Sequence, residues 1–428
     1  MARWRGAKDL VLDAVETITN LVEETHTETV KQVAAPLRAI EPAAPDAIMA
    51  IHGLTAGVTY KTIRAVNHGV RVLSDLGADR LEATGAPAPR ERSDEEGTLG
   101  WYVDQAEGAL NGAIGDFLSR RGNGLDVGMT LRHQGLPLEP TREALQEALP
   151  EATGRVCVLV HGLSATEWSW SVASEHFHGE PGVNIGTQLA RDAGYTPLFV
   201  RYNSGRHVST NGALLSALLT ELVAAWPHPI ETLALVGHSM GGLVSRSAAH
   251  RAEAEGAPWL KHLDHVVCVG SPHLGAPLEK AANALGAALS FFNHPGTQVP
   301  AKVLKARSEG IKDLRYGYIH DAEWQGQDPD ALWGNNAQGV APIAGVTFVA
   351  IAGTLTQDPE HPVGALLGDL MVRVTSATHY NGVGDDGVEH IPFRAERVFP
   401  GTDHLRLANH PEVYAVVRRA LQGDDLAG

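Results

Sequence analysis

Cysteine is nearly missing from this chain, with Cys157 and Cys268 the two examples in 428 residues. That excludes a disulfide framework, and no Cys-x-x-Cys exists to suggest a redox or zinc motif. Both cysteines fall inside β-type apolar runs, so each is expected to be a small buried hydrophobe. Although 21 histidines are present, they are scattered and His-Glu-x-x-His does not occur, so neither a metal nor another cofactor is expected. Basic charge is in deficit, 34 Lys and Arg against 50 Asp and Glu, for a net charge of -16. Nucleic acid would be repelled and is excluded as the main partner, as is an anionic membrane surface. No uninterrupted apolar run has the length to cross a bilayer, so no transmembrane segment is expected. The basic stretch Met1 to Asp9 is not followed by an apolar segment either, and a cytoplasmic protein is therefore expected.

What the chain does contain is enough apolar material, 43% of residues, for a sizeable core. Its length allows one large domain plus an accessory part. Residues 1–95 read as an N-terminal helical region and linker. Val11, Val15, Ile18 and Val22 recur at helical spacing, as do Ile48, Ile51, Leu54 and Val58, and then Ile63, Val66, Val70 and Leu73. Pro36, Pro42 and Pro45 separate the first helix from the next, and the polar passage Gly85 to Gly97 reads as a linker. These helices could pack as a small bundle, or present an amphipathic face to a lipid surface or a second copy of the chain.

Residues 96–428 have a different rhythm. A short strand and turn are expected over Met129 to His133 and Gly135 to Leu138, then strands at Arg155 to Val160, Thr196 to Tyr202 and Thr232 to Val236. Further strands fall at His265 to Gly270, Val346 to Ala352 and Arg397 to Phe399. Helices lie between them, at Gly186 to Ala193 and around Leu214, Leu218 and Leu222, with a last helix starting near Pro411. Such alternation specifies an α/β fold, a mostly parallel central sheet with helices on both faces. The rhythm breaks over about 274–340, where a cap would be inserted. A helix over Pro277 to Phe292 is expected there.

The most informative stretch is Thr232 to Gly242, an apolar strand running into Gly237-His238-Ser239-Met240-Gly241 and then a helix-like segment. This Gly-x-Ser-x-Gly puts a serine on a sharp strand-to-helix turn, with glycines where the two backbones come too close for a Cβ atom. A serine hydroxyl becomes an effective nucleophile only when a base takes its proton. Histidine suits that work because its pKa lies near neutrality. His404, between the last strand and the last helix, is the leading candidate and His410, at the helix entry, the second. His161 and His238 flank glycines and are expected to hydrogen-bond or pack the turns. The acid that orients the imidazole falls between serine and histidine in chain order. Asp369 is the first choice, with Asp385 and Asp386 open as alternatives, while Asp403 would point away. Two backbone amides are needed for a developing oxyanion, and Leu163 and Met240 are the candidates.

With these residues together, the chain resembles the α/β-hydrolase superfamily. Within it, the chain is similar to bacterial lipase/esterase-like proteins that resemble GPI inositol-deacylase domains. The matching pieces are Val160-His161-Gly162-Leu163, Arg201-Tyr202-Asn203-Ser204-Gly205, Gly237 to Gly242, Gly270 to Pro277, Asp403-His404-Leu405 and His410 to Tyr414. Such proteins often carry Gly-Asp-Gly-x-Val at the acid. Here Gly368-Asp369-Leu370-Met371-Val372 keeps the aspartate and loses the second glycine, which Asp386-Gly387-Val388 supplies instead. The resemblance implies a serine hydrolase cleaving carboxylic esters through an acyl-enzyme, using Ser239, His404 and the two amides. Its substrate would be a small-molecule or lipid-like ester. A thioesterase or acyltransferase on the same residues, and a non-catalytic protein binding a lipid surface or a partner, are the alternatives.

Overall fold

The computed structural model describes residues 94–276, 307–329, 335–358, 368–369, 371–381, 390–393 and 395–424. It also describes Glu16, Thr19, Asn20, Glu23, Arg64 and His68. The chain divides into two compact units, Met1–Ala109 and Leu110–Gly428. In the first unit the six isolated residues just named are helical. There Arg64 donates to Asn20 Oδ1 from Nε and Nη2, at 3.0 and 2.8 Å, and pairs with Glu23.

Ten strands are described: β1 (Met129–His133), β2 (Leu136–Leu138), β3 (Arg155–Val160), β4 (Thr196–Tyr202), β5 (Thr232–His238), β6 (Leu263–Val269), β7 (Thr347–Thr354), β8 (His379–Asn381), β9 (His390–Pro392) and β10 (Ala395–Pro400). Among the described residues, the helices of nine residues or more are α1 (Asp94–Arg120), α2 (Ile185–Ala193), α3 (Val208–Ala225), α4 (Met240–Glu255) and α5 (Pro411–Gln422). Eight strands make one sheet in the order β10-β7-β6-β5-β3-β4-β1-β2. Six of them, β10 through β4, are parallel, and β1 and β2 add an antiparallel edge. This is the α/β-hydrolase fold. β8 and β9 form a separate two-stranded ribbon.

Strand periodicity explains the layers. Successive side chains on a strand point to opposite faces, so a strand buried on both sides must be apolar throughout. On β3, Val156, Val158 and Val160 join one core with Leu215, Leu219 and Leu222 of α3 and Leu243, Val244 and Ala248 of α4. The intervening Cys157 and Leu159 join the other core, with Ile185 and Leu189 of α2 and Val413 and Val417 of α5. Both cysteines are buried and unbridged, and burial pushes each thiol up to about 12. By length and composition α3 is apolar enough to cross a membrane. Its buried Leu215, Leu219 and Leu222 lie in the sheet-facing core, which makes it a core helix here.

Several elements escaped the reading of the sequence, among them the β8–β9 ribbon and two helices. Helix α1 begins at Asp94, inside the passage taken for a linker, and contains a non-helical residue at Ile114 (φ -137°, ψ 20°). A short helix also forms at Arg142–Ala148, capped by the Thr141 hydroxyl, which accepts from the Ala144 amide at 3.3 Å. The cap helix expected over Pro277 to Phe292 lies outside the described residues. Of the segment 274–340, the described part includes helices Glu309–Asp313 and Asp321–Trp324.

Candidate active site

Ser239 stands between the end of β5 and the first residue of α4, with φ 54° and ψ -125°. A residue with a Cβ atom in that region stores strain, on the order of 1–3 kcal/mol, which persists only where the surroundings force it. The surroundings here are glycines. A Cβ on Gly237 would meet Gly241 O at 2.5 Å, and one on Gly241 would meet His161 O at 2.5 Å. Ser239 N donates to Val269 O at 2.8 Å, which ties the turn to the end of β6. On its other side, a Cβ on Gly162 would lie 2.9 Å from Ser239 Cβ, so the loop after β3 runs directly beside the serine.

His404 begins the short helix His404–Leu407, whose first turn is capped by Asp403. Asp403 Oδ1 accepts from the Leu405 and Arg406 amides at 3.1 Å each, so that carboxylate faces the helix terminus. The imidazole is buried, with Nδ1 2.7 Å from Asp369 Oδ2. Asp369 is itself 1% exposed. Its other oxygen accepts from the Met371 and Val372 amides at 3.1 and 2.9 Å. The His404 amide also donates to Asp369 O at 3.3 Å. With Nδ1–H donating to the carboxylate, Nε2 is the basic nitrogen, and this buried atom has no hydrogen-bond partner among the described residues.

Serine and histidine converge on one short piece of backbone. Ser239 is bonded to Val269 O. The next residue, Gly270, has φ 62° and lies so close under the imidazole that a Cβ there would be 3.2 Å from His404 Cε1. Beneath both, His238 Nε2 lies 2.9 Å from His404 O, and the two rings are 4.9 Å apart. Burial first, and the nearby His404 second, lower the His238 pKa to about 3, so its ring is neutral and donates from Nε2. His161 Nε2 accepts from Tyr202 N at 3.3 Å, its ring stacks on Tyr202, and burial lowers it to about 3.

Leu163 lies in the turn Gly162–Ala165 after β3, and Met240 is the first residue of α4. His410 caps α5, its Nδ1 accepting from Glu412 N at 3.3 Å. Asp385 and Asp386 lie outside the described residues. Among the described residues no group of three or more His, Cys, Asp or Glu could hold a metal ion.

Two neighbouring arrangements were missed in the sequence. Ser204 Oγ accepts from the Ser164 amide at 3.0 Å. Arg246 of α4 reaches His273 Nδ1 at 3.0 Å. Ser204 and His273 lie inside stretches quoted above for the resemblance, but no spacing rule joins residues that meet only through the fold.

Residues 151–324 match the family model described as PGAP1-like alpha/beta domain. No curated protein matches the chain in sequence. Among solved structures, the mature lipase BlEst2 of Bacillus licheniformis is similar at 18% identity and a TM-score of 0.40, over 68% of this chain and 97% of that one. Phospholipase PlaB from Legionella pneumophila is 15% identical at a TM-score of 0.37, over 63% of this chain and 60% of that one. Esterase B from Lactobacillus Rhamnosis is 15% identical at a TM-score of 0.32, over 64% and 75%. Residues 151–324 are thus similar to a PGAP1-like alpha/beta domain, and they lie within the mostly parallel eight-stranded sheet described above.

Proposed function

We propose that this protein is a serine hydrolase that cleaves carboxylic esters, with Ser239 as nucleophile, His404 as general base and acid, and Asp369 as the orienting carboxylate. One observation carries the reading. A buried imidazole has one nitrogen on a carboxylate at 2.7 Å and the other without a partner among the described residues, and it packs on Gly270, next in chain to the Val269 carbonyl that holds the strained Ser239 turn. A buried polar atom without a partner is costly, and active sites are where such costs are kept. Ser239 Oγ attacks the ester carbonyl carbon while its proton passes to His404 Nε2. Asp369 holds Nδ1–H and stabilises the imidazolium. The tetrahedral oxyanion accepts from the Leu163 and Met240 amides, the latter at the positive end of α4. His404 gives its proton to the departing alcohol. Water then attacks the acyl-enzyme by the same route in reverse, releasing the acid and restoring Ser239.

Labelling with a fluorophosphonate probe tests the assignment. Wild type should be modified on Ser239, and Ser239→Ala should be neither labelled nor active on a chromogenic acetate ester. Asp369→Asn leaves the imidazole in the wrong tautomer and should lower kcat by about 10⁴, whereas Asp386→Asn should keep turnover. Full activity of the Asp369 variant would remove that residue from the mechanism.

A further inference from the structure

Leu163 lies between two anchored points. Before it, Gly162 is pressed against Ser239. After it, Ser164 has φ 57°, a left-handed conformation in a residue that bears a Cβ. The turn is closed only by a long bond, Ala165 N to Gly162 O at 3.4 Å. The conformation is instead imposed from outside. The Ser164 amide donates to Ser204 Oγ at 3.0 Å, and Ser204 is fully buried in the loop that follows β4. From the opposite side comes the stretch of α1 beginning at Asn111. A Cβ on Gly112 would lie 2.7 Å from Ser164 Cα, so glycine there allows the helix to rest on the turn.

Both supports are themselves fixed. Asn203 Nδ2 donates to Gly115 O and to Asp126 Oδ1, each at 2.8 Å, and Asn203 Oδ1 accepts from Gly205 N at 3.1 Å. Gly310 N donates to Gly205 O at 3.0 Å, and Ser308 Oγ donates to Gly112 O at 2.6 Å. The Ser204 loop, α1 and the segment returning from the cap thus form one clamp around Ser164.

We infer that Ser204 is a positioning residue for ester hydrolysis, with Gly112 as its counterpart: together they clamp Ser164 and so fix the direction of the Leu163 amide toward the oxyanion. This rests on the reading of Ser239 as the nucleophile. An amide aimed in advance stabilises the transition state without reorganising during the reaction. Released from Ser204, the turn is free to relax toward a left-handed-free conformation and swing the donor away.

The test compares Ser204→Ala and Gly112→Ala with wild type. It measures kcat and KM on a chromogenic acetate ester, the inhibition constant of a trifluoromethyl ketone, which forms an oxyanion adduct on serine, and the thermal midpoint. Removing an oxyanion donor outright costs about 10²–10³ in kcat, so misdirecting one should cost roughly ten- to a hundredfold. KM should change by no more than about twofold. Affinity for the ketone should fall by the same factor as kcat, a signature that mere loss of stability does not produce. If Ser204→Ala does not fold, Gly112→Ala carries the test from the other side of the turn. A folded variant with wild-type kcat, or one whose kcat falls while ketone affinity holds, overturns the inference. Hydrolysis surviving in Ser239→Ala would sink both this inference and the function it rests on. With Ser239→Ala inactive, the Ser204 and Gly112 results bear on the clamp alone.

Discussion

Glycines in this fold fall into two kinds that the sequence does not distinguish, and substitution separates them. Gly241 has backbone on the far side: an added Cβ would meet the carbonyls of Val160 and His161, the latter at 2.5 Å. Strand β3 or helix α4 would have to move, and Ser239 sits on the turn that leads from β5 into α4. Gly241→Ala should cost about 1–3 kcal/mol, as overpacking does, and should abolish labelling of Ser239. Gly256, the C-cap of α4, has φ 67° and nothing within 4 Å of an added Cβ. Gly256→Ala meets only backbone strain, about 1 kcal/mol, and should leave turnover unchanged. Urea titration and ester hydrolysis on the two variants check both halves, and equal activity in the two would show that the elbow tolerates displacement. The Gly-x-Ser-x-Gly pattern made the serine legible because its steric demand is local. The choice between Asp369 and Asp386 was not legible. Either lies after β7 in chain order, and what sets Asp369 on His404 is the Gly368 turn (φ 58°), through the Met371 and Val372 amides.

Among elements, the parallel strands could be read because burial on both faces makes them continuous apolar runs. β3 and β4 keep their expected bounds, and β5, β6, β7 and β10 shift or lengthen by one or two residues at an end. Helix α1 could not be read, and the reason is its buried face. Asn111, Gly112, Gly115 and Leu118 recur at helical spacing, but three of the four are glycine or asparagine. Glycine is among the poorest helix formers, and that face carries little apolar signal, yet close approach to Ser164 and Asn203 requires small residues there. Helix α4 makes the opposite choice. Arg246 is 3% exposed, bonded to His273 and packed over the Tyr380 ring at 4.4 Å, and it forms no ion pair among the described residues. It joins α4 to the β8–β9 ribbon and to the loop leaving β6. Desolvation lowers its pKa, since a guanidinium without a carboxylate is a costly thing to bury. Arg246→Ala should therefore destabilise by about 2–5 kcal/mol through the lost packing, while Arg246→Met, of similar reach and no charge, should retain most of the stability. Chemical denaturation distinguishes them. If methionine is as damaging as alanine, the bond to His273 and not the packing holds the ribbon.

For the molecule as a whole, the histidines set the acid limit. Those at 161, 238 and 250 are buried, and burial lowers each to about 3; His273 is lowered well below its ordinary value by the same cause and by Arg246. The sign follows from proton counting. Above about pH 6.5, the unfolded value, these rings are neutral in both states and have no effect on folding. As pH falls below it the unfolded chain takes up protons that the native chain refuses, so stability is lost progressively down toward pH 3. Each group contributes about 1.4 kcal/mol per pH unit. The three with values would together withdraw roughly 6 kcal/mol by pH 5, which is comparable with the entire stability of an ordinary domain. Burial raises the Asp313 and Glu323 carboxyls, which opposes the loss, because a carboxyl with a raised native pKa stabilises the fold as it takes up its proton. Two such groups act against four histidines and engage only nearer their own range. The thermal midpoint should therefore be flat from pH 8 to about 6.5 and fall steeply below it. Acid unfolding should be complete before pH 4, with several protons bound per molecule unfolded. His250→Phe, whose ring stacks face to face on Phe348, should reduce that slope by about one proton. A midpoint that stays level between pH 7 and 4.5 would mean that these rings carry protons in the native protein, and the neutral imidazoles packed beneath Ser239 and His404 would have to be redrawn as charged.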